Sequence, residues 1–339
     1  MKGIQSSAEH HFPHLSDEDK QEYHSIMNLA WPCVVEQLLA MLVGIVTTML
    51  IGHLGNAALT GVGFVNSLVA LIQAAFAALS TGATVLISRL TGAGEHQLAR
   101  SAVVQTLILA LASSFIVTLA CYIFRVPILH AFLGNCTEEV YETTMRFFRI
   151  SIFGFPPLII NAILAGAFRG VGDSRTPMTI NVLINVFNAL FGYLLIYPAN
   201  LNVRGAAFGT LLARLIGVTL FLIVLFSGKA RIAIHLSEGI RLNFSLIKRM
   251  LRIGIPASIE QVVLQGGFVM LQSTIVRMGT IHSATYSVSN SINSIVSMAG
   301  NGFAVAITPL VGQSLGAKRP DRRNITCGRH WGFPLPLCP

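Results

Sequence analysis

One stretch of this chain occurs twice, and that repetition limits the possible folds more than any other feature. Residues 30–37 read AWPCVVEQ and residues 254–261 read GIPASIEQ. Pro32, Glu36 and Gln37 fall on Pro256, Glu260 and Gln261, a shift of 224 residues from position 32 to position 256. The same shift, without a gap, carries Gly55 onto Gly279, Asn66 onto Asn290, Ser67 onto Ser291 and Gly92-Ala93 onto Gly316-Ala317. Both copies are long apolar segments with a proline near the start and a glutamate one helical turn later. Self-similarity at such a distance inside apolar sequence marks a duplicated membrane unit.

Only 11% of the residues are charged and 53% are hydrophobic, against about 25% charged in a soluble domain. Apolar runs of about 20 residues, long enough to cross a bilayer, recur along the whole length. The fold class this predicts is all-α, a polytopic transmembrane helical bundle in contact with the lipid bilayer. Eight spans are expected, over about 29–51, 59–86, 101–124, 147–167, 178–196, 206–226, 255–276 and 283–310. The net charge of +9 then implies no nucleic-acid partner, because it sits in short loops where it sets orientation. With the amino terminus in the cytoplasm, 17 of the 23 Lys and Arg residues lie on the cytoplasmic side and 5 outside. Arg214 alone lies within a span. That bias points to a multi-pass protein of the inner or plasma membrane.

Six spans separate the two copies. Six is even, so both enter the membrane in the same direction, and the pseudo-twofold axis runs along the membrane normal. The organisation expected is a cytoplasmic tail over 1–28, a six-helix amino lobe over 29–228, a basic linker over 229–252, the start of a second lobe over 253–317, and an atypical tail over 318–339. Two complete copies would need about 450 residues, so the second lobe reads as incomplete. Residues 324–339, NITCGRHWGFPLPLCP, hold three prolines, two cysteines and a tryptophan with no helical period. They read as a frameshifted or prematurely stopped frame. The five cysteines form no pairing or metal pattern. His10, His11 and His14 lie in the polar tail, and too few ligands accompany them for a closed metal site.

Glu36 and Glu260 are the only acidic residues within the spans. A charge in hydrocarbon costs several kcal/mol, so such groups face a cavity or a partner. Each follows a proline by four residues, and proline frees a carbonyl one turn back. A carboxylate and a freed carbonyl can hold a proton or a cation; they can equally pin a bent helix. Asn181, Asn185 and Asn188 share one face of the fifth span. Asn290 and Asn293 lie in a serine-rich eighth span, and Gln261 and Gln265 follow Glu260. With Gln37 and Asn66 these residues are candidates to line a water-filled path, against the alternative of interhelical hydrogen bonding alone. No phosphate loop, zinc pair or nucleophile elbow is present. The expectation is a non-enzyme with no cofactor, driven by an ion gradient. Nothing in the sequence specifies an oligomer.

The pattern resembles the multidrug and toxic compound extrusion (MATE) family of secondary transporters. The resemblance rests on the two Pro-to-Glu-Gln openings, on IGHLGNAAL at 51–59, ISRLTGAG at 87–94, AFRGVGDSRTPM at 167–178 and LVGQSLGAKR at 310–319. It covers about residues 28–323. It implies two six-helix lobes that rock between inward-open and outward-open states. It further implies export of amphiphilic or cationic small molecules in exchange for protons or sodium ions. Family members commonly carry an aspartate where Thr47 stands, and a second where Gly192 stands, four residues after Asn188. With those acids absent, the resemblance leaves Glu36, Glu260, Asn188 and Thr47 as the cation-coupling candidates. Two rival expectations are a flippase for lipid-linked sugars, whose cavity would be strongly cationic, and a membrane remnant that no longer transports.

Overall fold

A computed structural model describes residues 17–133, 138–227, 243–277 and 280–317. The histidines at 10, 11 and 14, most of the basic linker and the tail from 318 lie outside the described residues. Within them the chain forms ten helices: α1 (Asp17–Gly52), α2 (Asn56–Gly92), α3 (His96–Ile123), α4 (Arg125–Leu133), α5 (Glu138–Phe153), α6 (Phe155–Gly170), α7 (Arg175–Ile196), α8 (Asn202–Phe226), α9 (Phe244–Arg277) and α10 (Thr280–Gly316). Five of them, α1, α2, α3, α7 and α8, are long and apolar enough to cross a membrane. The pair α5–α6 makes a sixth span, bent by 47°. Helices α9 and α10 are as long, at 34 and 37 residues, and carry more polar side chains.

The packing is that of a protein immersed in lipid. Large apolar groups such as Phe115, Ile116, Met49 and Leu42 are exposed, while Ser80, Thr84, Ser88, Gln105, Thr106 and Asn161 are buried. Small residues and hydroxyls let the helices approach closely. Along α8, Gly205, Gly209, Ala213 and Gly217 repeat every four residues and are buried against neighbouring helices. A Cβ on Gly209 would stand 2.8 Å from the backbone nitrogen of Gly192 in α7. Gly209→Leu is therefore expected to wedge α8 off α7 and destabilise the chain by roughly 1–3 kcal/mol, the usual cost of overpacking. Thermal unfolding in detergent measures it. On the other side of the lobe, Ser80 Oγ and Thr84 Oγ1 donate to the carbonyls of Ala162 and Gly166, each at 2.9 Å, clamping α2 to α6.

Two departures from the sequence expectation have plain causes. The third span ends at Ile123, where the apolar run predicts, and Arg125-Val126-Pro127 then opens a further short helix, α4, that the expected spans do not include. Proline is tolerated in a first helical turn because the missing N–H has no intrahelical partner there. The fourth span breaks at Gly154 into α5 and α6, with Pro156 and Pro157 just beyond the break. Pro32 and Pro256, by contrast, sit inside continuous helices.

The duplicated hairpins α1–α2 and α9–α10 pack on each other crosswise. Helix α9 lies along α2 and α10 lies along α1, and α2 and α10 cross each other. At that crossing the 224-residue shift becomes a local twofold axis. A Cβ on Gly92 would strike the backbone of Gln313, and one on Gly316 would strike the backbone of Arg89. Position 313 is the repeat partner of 89, and 316 is that of 92. A Cβ on Gly312 would strike the hydroxyl of Ser88, and 312 is the repeat partner of 88. Each contact is thus matched by its symmetry mate, as in an isologous interface. Toward this Gly92 end, α2 is buried at Gly82, Ala83, Thr84, Leu86, Ile87 and Ser88. Toward its Gly55 end it exposes Gly63, Asn66, Ser67 and Gln73. Among the described glycines, those that meet across α2 and α10 all lie at the Gly92 end.

Candidate substrate and coupling site

The turn between α6 and α7 carries the strongest motif, and its glycines and Asp173 explain the local shape. Gly172 takes φ 90°, a left-handed conformation that glycine adopts without penalty. The amide of Gly172 donates to the Arg169 carbonyl at 2.8 Å and that of Asp173 to the Phe168 carbonyl at 3.0 Å, closing the end of α6. Asp173 then starts α7: Oδ1 accepts from the amides of Arg175 and Thr176, each at 3.1 Å, and Oδ2 accepts from Thr176 Oγ1 at 2.6 Å.

That turn holds Arg169 against α1. Arg169 Nη2 donates to both carboxylate oxygens of Glu36 at 2.9 Å, and Asn181 Nδ2 of α7 donates to Oε1 at 2.7 Å. Side-chain exposure is 15% for Glu36 and 16% for Arg169, so the pair is largely withdrawn from solvent. The buried Cys33 and Ser174 adjoin it. One partner of a buried pair left alone is strongly unfavourable. Glu36 is thus a neutralised tie between α1, α6 and α7. The sequence set it beside Glu260 as an equal, and the structure separates the two. Glu260 is exposed on α9, and among the described residues no partner pairs with it.

Asn188 accepts a hydrogen bond from Thr210 Oγ1 of α8 at 3.3 Å. Thr47 and Asn185 are partly buried, and Gly192 is buried. Nothing lies within 4 Å of where a Cβ on Gly192 would stand, so the room an acidic side chain would need there is open. Asn66, Gln261 and Asn293 are exposed, and Gln37 and Gln265 are partly buried. Asn293 Oδ1 accepts from Ser297 Oγ at 3.4 Å. The side chain of Asn290 lies outside the described residues. Among the described side chains of the predicted set, only Glu36 and Asn181 are brought into direct contact. Sequence reasoning missed Asn161 altogether, and it treated Arg169 as a loop cation and Arg214 as a stray charge. Arg169 and Arg175 both stand in the glycine-rich turn, and nothing local tells which of them meets Glu36. Asn161 gave no signal, being a single amide in an apolar helix.

All-helical among the described residues, with several helices of membrane-spanning length, a duplicated hairpin crossing on an axis and a neutralised charge pair beside it, the chain is a multi-pass membrane protein built on an internal repeat. The MatE family model matches residues 32–194 and 256–335, and the chain belongs to that family. It is 31% identical over 293 residues to the probable multidrug resistance protein NorM of Thermotoga maritima, covering 85% of this chain and 62% of that protein. It is 29% identical to DNA damage-inducible protein F of Escherichia coli, over 90% of this chain and 65% of that protein. The chain therefore spans under two thirds of the length of these relatives. Among solved structures, an outward-facing multidrug resistance MATE family transporter superposes with a TM-score of 0.81 at 23% identity, over 89% of this chain and 67% of that one. A transporter of the MOP superfamily from Pyrococcus furiosus, described as having a binding pocket of reverse polarity, gives 0.82 at 24% over the same shares.

Proposed function

We propose that this chain exports amphiphilic organic molecules, organic cations among them, by alternating access in the cell membrane, driven by protons or sodium ions. The observation that carries this reading is the symmetric crossing of α2 and α10, tight at the Gly92 end, with Asn66 and Ser67 exposed toward the other end of α2. A helix pair on a pseudo-twofold axis is the element that can close one end while the other opens. The Lys and Arg bias supports a cytoplasmic Gly92 end, and on that orientation we read the arrangement as outward-open. The names of the multidrug resistance relatives support the substrate class.

Ion coupling falls to Glu260, because Glu36 is already neutralised by Arg169. An exposed, unpaired carboxylate in a span is free to bind and release a cation as its surroundings change. The test is efflux of a cationic dye, ethidium, and an anionic dye, carboxyfluorescein, from drug-sensitive cells expressing the chain. Efflux of at least one dye is expected, abolished by a protonophore or by sodium removal. Glu260→Gln is expected to lower it at least tenfold at unchanged surface abundance. Retention of both dyes by cells with the chain in their membrane would overturn the transport reading. Undiminished efflux by Glu260→Gln would overturn only the coupling assignment.

A further inference from the structure

Arg214 is the charge this architecture leaves unexplained. It sits midway along α8, within the membrane span. Its side chain reaches the bend between α5 and α6, where Nη1 donates to the Gly154 carbonyl at 3.5 Å, the outer limit of a hydrogen bond. A guanidinium carries five N–H donors, so most of its hydrogen-bonding capacity is unused. Among the described residues no carboxylate pairs with it. A second observation lies one turn away. Asn161 Nδ2 of α6 donates to the Arg214 carbonyl at 3.2 Å, while Asn161 Oδ1 is buried with no partner. Thr210, one turn before Arg214, points at Asn188. The same stretch of α8 thus meets Gly154 through the Arg214 side chain, Asn161 of α6 through the Arg214 carbonyl, and Asn188 of α7 through Thr210.

The electrostatics decide what such a place can accept. Glu36 and Arg169 cancel, and neither Thr47 nor Gly192 supplies an acid. The interior of the amino lobe therefore carries one uncompensated positive charge. An unpaired cation in hydrocarbon is retained only at a cost, and its ordinary use is to meet a counter-ion. We propose that Arg214 is the anion-recognition group of a site in the amino lobe, which takes a carboxylate or sulfonate on an amphiphilic organic molecule. One planar guanidinium matches one carboxylate or sulfonate. A diphosphate would call for more positive charge than a single arginine provides. The inference deepens the exporter reading by fixing the sign of the substrate charge that this lobe favours.

The competing role for Arg214 is to pin the bend at Gly154, and the experiment separates the two. The full chain in lipid nanodiscs is equilibrated with tetraphenylborate or tetraphenylphosphonium, ions of matched shape and opposite charge, and binding to empty discs is subtracted. The wild-type chain is expected to bind the borate more tightly than the phosphonium, and benzenesulfonate should displace it. Arg214→Met should weaken borate binding severalfold through the lost Coulomb attraction and benzenesulfonate competition about tenfold or more, the usual size of a charge-assisted hydrogen bond, and Arg214→Lys should keep most of both. Phosphonium bound by the wild type as tightly as borate would overturn the proposal with no variant needed. Equal borate binding by the wild type and Arg214→Met, with a lowered unfolding temperature, would also overturn it and leave Arg214 as a pin. Anion preference without dye efflux would count against transport alone. Ethidium efflux without anion preference would count against this inference alone.

Discussion

Replacing Arg169 by Met is expected to destabilise the chain by about 3–5 kcal/mol, the cost of stranding one member of a buried ion pair. The reason is geometric. Glu36 accepts two bonds from Arg169 Nη2 and one from Asn181. Without the guanidinium its carboxylate remains largely buried with a single amide donor. Glu36→Leu strands Arg169 in the same way. The double variant removes both charges and should recover most of the loss, because apolar groups of similar size often replace a buried pair at little cost. A double-mutant cycle in thermal unfolding measures the coupling. A double variant as unstable as the sum of the singles would mean that the two side chains act independently. Glu36→Gln separates the structural role from a coupling role. If Glu36 carried the transported ion, that variant would stop efflux at normal stability. The bonding around Glu36 predicts instead that stability and efflux fall together.

The pair also shows where sequence reasoning stops. Pro32, Glu36 and Gln37 were legible as one half of a repeat, and the parity of the spans gave its parallel sense. The eight long helical segments lie close to where apolar runs placed them, because length and hydropathy are local properties. The partner of Glu36 was not legible. Arg169 lies 133 residues away in sequence, and no local period connects them. The repeat itself misled on one point. It made Glu36 and Glu260 equivalent, although among the described residues only Glu36 meets an arginine, delivered by the turn over 167–178. The break at Gly154 was different: Pro156 and Pro157 beside it are breakers visible in the sequence, yet the expected fourth span ran straight through them. Gly92 and Gly316 were visible as a repeated pair, while Ser88 and Gly312 were not. That they touch one another across the axis required the fold.

That crossing carries the second large effect. Gly92→Leu or Gly316→Leu is expected to reduce efflux at least tenfold while leaving insertion intact, with the Gly92 end held apart. Each glycine stands where a Cβ would meet the partner helix's backbone, so a leucine cannot be accommodated by a side-chain rotation and the helices must separate. A population shift from 99:1 to 1:99 needs only about 5.5 kcal/mol, and overpacking at a backbone crossing supplies an appreciable part of it. Separation can be read with a disulfide. The Ser88 Cβ lies 2.9 Å from where a Cβ on Gly312 would stand, close enough for small backbone adjustment to reach the usual disulfide separation of about 3.8 Å. In a chain otherwise free of cysteine, Ser88→Cys with Gly312→Cys should cross-link readily under mild oxidation and stop efflux until reduced. Adding Gly316→Leu should abolish the cross-link. If the leucine variant cross-links as fast as its parent, the two helices have not parted, and the axis at Ser88 and Gly312 is a fixed seam, not a gate.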